Sequence, residues 1–108
     1  MKQTVLMLLL TLFFISACAA SHFYRIQEQE VTLVLRWPEA RSVMLATSLD
    51  GFFLRPATPV SDAWEMTVPA GKSFRYFYQV DGKIVVPDCK MKETDDFGSE
   101  NCIFEPSL

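Results

Sequence analysis

Few side chains in this 108-residue chain can do covalent or acid–base chemistry: three cysteines, one histidine and thirteen carboxylates. His22 lies in a short stretch without clear alternation, residues 19–30, ahead of the first strongly apolar run, so the following domain is expected to lack a histidine base. Without one, no Ser-His or Cys-His nucleophile can be assembled. No spacing selects two of the acids as a glycosidase pair, so no catalytic residue is assigned and the chain reads as non-enzymatic. Metal chemistry is equally poorly supplied, with no CxxC and the lone histidine distant from Cys89 and Cys102. Glu93, Asp95 and Asp96 form an acidic loop, but it lacks the glycine and the bidentate glutamate of a calcium loop and reads as a solvated turn. No cofactor is implied.

What remains is binding chemistry, concentrated in aromatic rings. "FRYFYQVDGK", Phe74 to Lys83, places four rings within five residues. With a period of two, Phe74, Tyr76, Tyr78 and Val80 share one face and Arg75, Phe77 and Gln79 the other. The first set is the expected core face, which leaves Phe77 on the wetter side. Phe52 and Phe53 follow Asp50-Gly51, a turn signal, and adjacent rings on a strand would point to opposite faces, exposing one of them. Trp37 shares the period of Val31, Leu33 and Leu35 and is expected in the core, and Trp64 at the core or its rim.

The elements that position these groups are short strands. "VTLVLRW" (31–37) ends at Pro38, "RSVMLAT" (41–47) precedes Asp50-Gly51, and "LRPATPV", with two prolines, can only be an edge or a loop. "AWEMTV" (63–68) alternates cleanly before the turn "PAGK". The aromatic strand is joined to "KIVV" through Asp81-Gly82, a strong hairpin signal because both central residues take positive φ. "ENCIFE" closes the chain as a last strand, and no segment has helical spacing. Strands at roughly ten-residue intervals predict an all-β, immunoglobulin-like antiparallel sandwich, with a small barrel as the competing architecture.

The N-terminus is read separately. Lys2, an uncharged apolar run from Val5 to Ile15, and then Ser16-Ala17-Cys18 form a secretory signal, too short to span a bilayer in the usual way. "ISAC" resembles a bacterial lipobox, which implies cleavage after residue 17 and a lipid on Cys18; the alternative is an ordinary signal cut near "SACAA". Resemblance to lipoproteins of two-membrane bacteria implies, from Ala19 after the cysteine, an outer-membrane location facing the periplasm. The expected organisation is thus a lipoprotein signal peptide at 1–17, a tether at 18–29 and the sandwich at 30–106. Removing residues 1–17 takes Lys2 from the ten basic residues, leaving thirteen acids and a net charge of −4. A mildly acidic chain with no basic run does not fit nucleic acid. In an oxidising compartment the even pair Cys89 and Cys102 suggests a disulfide, the alternative being two buried thiols.

The order "VTLVLRWPEARSVMLATSLDGF", "WEMTVPAGKSFRYFYQVDGK", "PD" and "FGSEN", covering Val31 to Phe104, resembles the family-48 carbohydrate-binding modules. These include the early-set domains of isoamylases and branching enzymes and the glycogen-binding domain of the AMP-activated protein kinase beta subunit. The resemblance implies an early-set sandwich and binding of α-glucans such as glycogen or starch. Carried over by position, it implies carbohydrate contacts at Phe52, Phe77 and Asn101. Phe52 stands where the family has a turn tryptophan, Phe77 where a lysine follows the tyrosine, and Ile84 where a second tryptophan would stand; Asn101 is kept. With one aromatic softened and two contacts replaced, the expected function is a lipid-anchored module that docks an envelope protein or other envelope component, with α-glucan binding as the alternative.

Overall fold

Alternation of β-branched and aromatic residues, interrupted by turn residues, produces ten strands in residues 21–106, the part of the chain that the computed structural model describes. Residues 1–20, which hold the expected signal peptide and Cys18, lie outside the described residues. The strands are β1 (Ser21–Gln27), β2 (Glu30–Arg36), β3 (Val43–Thr47), β4 (Arg55–Pro56), β5 (Thr58–Val60), β6 (Ala63–Pro69), β7 (Phe74–Val80), β8 (Lys83–Val85), β9 (Lys92–Thr94) and β10 (Glu100–Phe104). They form two antiparallel sheets, one in the order β1-β2-β6-β5 and the other β4-β3-β7-β10-β9, with β8 also pairing β7. The fold is an all-β, immunoglobulin-like sandwich.

Inward-facing positions of the two sheets make one core. Val31, Leu33 and Leu35 of β2 meet Val43 and Leu45 of β3, Phe74, Tyr76, Tyr78 and Val80 of β7, and Cys102 and Phe104 of β10. The aromatic strand β7 therefore splits as its period requires, with the 74/76/78/80 set buried and Phe77 half-buried on the outer face. Trp37 and Trp64 pack at the margin of this core, and the Trp64 Nε1–H donates to the Trp37 carbonyl at 3.3 Å. The proline-bearing stretch does occupy edges. β4 closes one sheet, β5 closes the other, and buried Ala57 between them carries the chain across.

The β7–β8 hairpin turns on Asp81 at φ 49° and Gly82 at φ 84°, both in the left-handed region. The Asp81 carboxylate also accepts from the Arg41 and Ser42 N–H groups at 2.9 and 2.8 Å, locking the hairpin to the start of β3.

The stretch read as a tether is corrected in its larger part. Residues 21–27 are β1, paired with β2 along their whole length from Ser21↔Arg36 to Gln27↔Glu30. Two physical facts hid it. His22, Tyr24 and Ile26 face inward while Phe23 and Arg25 face outward, so polar and aromatic residues occur on both faces and the apolar alternation is blurred. The hairpin to β2 also turns at Glu28, φ 55°, a residue type that carries no turn signal. The three-residue strand β9 falls within the acidic loop and likewise lacks a strand pattern.

Candidate functional site

Cys89 and Cys102 form a disulfide, with Cα atoms 5.9 Å apart. It ties the segment between β8 and β9 to the middle of β10, where Cys102 is fully buried. The same segment is held by the Ile103 N–H donating to the Met91 carbonyl at 2.9 Å.

Of the three residues expected to contact carbohydrate, two are brought together. Phe52 and Phe77 stack at 5.8 Å between ring centroids and 16° between planes, on the outer face of the six-stranded sheet. The turn that achieves this is unusual. After Gly51 at φ 77°, Phe52 itself sits at φ 65°, a conformation in which a bulky side chain is strained by about 1–2 kcal/mol. Its N–H donates to the Thr47 carbonyl at 2.7 Å, which fixes the turn against the end of β3. Phe52 and Phe53 lie at the turn as expected, but the expectation that one ring is exposed is revised, since both are, Phe53 at 65%. Arg55 lies over the Phe53 ring, 5.4 Å from its centroid, while its Nε–H donates to Asp50 at 2.6 Å. That hydrogen bond, with the Phe53 N–H donating to the same carboxylate, holds the Asp50 carboxyl below its ordinary range.

Ile84 joins this face. It pairs with Gln79, two positions along β7 from Phe77, and is 68% exposed. Asn101 is on the same outer face, next in register after Cys102↔Tyr76, but it is only 6% exposed, so its amide is largely withdrawn from solvent. The expected triad is thus an aromatic pair, Phe52 exposed and Phe77 half-buried, extended by Ile84, with the asparagine sunk between β7 and β9.

The acidic loop has structural duties. Glu93 pairs with Arg75 across the sheet. The Asp95 carboxylate accepts from the Phe97 and Ser99 N–H groups, each at 2.9 Å, and closes the β9–β10 turn. Among the described residues, no group of three or more His, Cys, Asp or Glu side chains is placed to hold a metal.

His22 was expected away from the fold and instead sits on its inner surface. Its Nε2 is 3.1 Å from the Tyr78 Oη, and its ring lies 5.6 Å from the Tyr76 ring centroid. Burial lowers the imidazole to about 4 and pushes the Tyr76 and Tyr78 phenols well up, so all three are neutral near pH 7. A cleft of about 440 Å³ opens beside them, lined also by Tyr24, Asp88 and Lys90. No sequence signal exposed this grouping, because it depends on β1 being a strand.

No protein-family model and no curated protein matches this chain.

Proposed function

We propose that the protein is a non-catalytic interaction module of the bacterial cell envelope, lipid-anchored at Cys18 in the outer membrane and facing the periplasm, which docks an envelope protein through the outer face of its six-stranded sheet. The observation that carries the docking part is the Phe52–Phe77 stack, presented by a strained turn and continued by exposed Ile84. Exposed ring faces held in place at a conformational cost are characteristic of contact surfaces. A photo-reactive phenylalanine analogue at Phe77 or Ile84 in the full chain is expected to give one discrete cross-linked protein in cells. The same analogue at Thr67, on the outer face of the other sheet, should give none. Equal cross-linking from all three positions would refute the docking face.

The anchor is tested by palmitate labelling. Wild type is expected to label and Cys18→Ala to lose the label, whereas unchanged labelling would refute lipidation.

α-Glucan binding is the second reading, favoured by the same stacked pair beside Asn101, since flat rings stack on sugar faces. Electrophoresis in gels containing glycogen or amylopectin decides it. The glucan reading expects retardation that the Phe52→Ala, Phe77→Ala double variant reduces at least about tenfold, consistent with about 1–1.5 kcal/mol lost per aromatic contact. Unretarded migration of folded wild type would eliminate it.

A further inference from the structure

Four strands lie at the ends of the two sheets, and three of them are poor templates for further pairing. β4 has two residues and contains Pro56, β5 has three and contains Pro59, and β9 has three and carries Lys92 and Glu93. Proline, shortness and charge are the usual ways in which an edge is blunted. β1 is neither short nor interrupted by proline, and its one charge, Arg25, is already paired with Glu65 of its own sheet. It runs for seven residues without proline or glycine, pairs β2 on one side throughout, and among the described residues pairs with no strand on its other side. Phe23, Tyr24 and Ile26 are 42%, 39% and 49% exposed along this free edge.

We infer that β1 is a self-association edge, at which a second copy of this chain adds its own β1 antiparallel about a two-fold axis through Tyr24. The occupant follows from how the strand matches itself. In that register His22 faces the partner's Ile26 and Tyr24 faces the partner's Tyr24 on the inner side, while Phe23 faces the partner's Arg25 on the outer side. Arg25 is the only charged residue of β1, and it is countered by Glu65 of its own sheet at 3.1 Å. The pairing therefore opposes no like charges and sets a guanidinium beside an exposed ring twice, once per copy. Two four-stranded sheets become one of eight, with the free edge removed from solvent. This inference is independent of the docking face proposed above, which lies on the other sheet.

The test is sedimentation equilibrium of the full chain in a density-matched nonionic detergent. Wild type is expected to show a reversible monomer–dimer equilibrium. Phe23→Lys sets a lysine beside the partner's Arg25 at two symmetric points and is expected to weaken association about tenfold, whereas Phe23→Glu sets a carboxylate there and keeps the dimer. Tyr24→Cys, on the axis, is expected to form a disulfide-linked dimer on oxidation, and Thr58→Cys on the opposite edge is not. Should Phe23→Lys fail to fold by circular dichroism, Phe23→Glu and the Tyr24→Cys cross-link decide. The inference is overturned by a wild type that is monomeric at the highest soluble concentration, by equal losses in the two Phe23 variants, or by a Val60→Lys change on β5 that weakens association as much as Phe23→Lys.

Discussion

Replacing Cys89 and Cys102 together by alanine is expected to lower stability by about 3 kcal/mol. The bridge closes a loop between residues 13 apart, and in the chain-entropy account a loop of this size restricts the unfolded ensemble by about that amount. For a domain of this size, the melting temperature should fall by roughly 10–20 °C. The effect is large because small sandwiches bury a limited fraction of their surface and have little stability to spare. The site adds a local consequence. Cys102 is fully buried in the middle of β10, and the segment it holds, from the end of β8 to β9, otherwise hangs on few backbone bonds. Thermal unfolding by circular dichroism measures the global term, and amide exchange around Cys89 to Lys92 the local one. A melting temperature within about 2 °C of wild type would show that the bridge adds nothing to the fold. Thiol titration of the unfolded, unreduced protein should find neither residue free.

The second large effect is acid sensitivity through His22. Its folded-state value, lowered by burial to about 4, lies below the ordinary histidine value near 6.5, so the unfolded chain binds a proton more readily than the folded one. Stability from this group is fully present above about pH 6.5, declines as pH falls, and levels off below about pH 4. The expected loss is about 2 kcal/mol between pH 7 and pH 5 and roughly 3 kcal/mol by pH 4. Reading the slope between pH 7 and pH 5 keeps most carboxylates ionised and isolates the imidazole. In His22→Gln that slope should flatten, whereas a slope unchanged by the substitution would assign the acid sensitivity to other groups. The tyrosines beside it do not take part, since burial pushes both phenols upward, away from this window.

The fold was legible wherever the period of two coincided with ordinary turn chemistry. β7 is the clearest instance, because its core face is wholly aromatic or apolar and Asp81-Gly82 announces the hairpin. The prolines of "LRPATPV" placed β4 and β5 at edges for the same reason: a residue without an N–H cannot serve a central ladder. β1 was illegible because its inward face begins with a histidine and its hairpin turns on Glu28, where the backbone geometry is supplied by the two long strands and not by the turn residues. The aromatic pair was half legible. Phe77 follows from alternation, but its partner is set by the left-handed Phe52, and nothing in a phenylalanine announces a positive φ. For Asn101, position in the chain says nothing of the depth to which its neighbours on β7 and β9 enclose it.

The pairing of β1 also sets a distance. Ser21 opens that strand, only three residues after Cys18, and three fully extended residues reach at most about 11 Å. With acyl chains on Cys18, the sandwich would ride directly on the lipid headgroups, without the long leash that lets a lipoprotein probe the far side of the periplasm. Its partners would have to be found by lateral diffusion within one leaflet, among molecules that already lie close to the same surface.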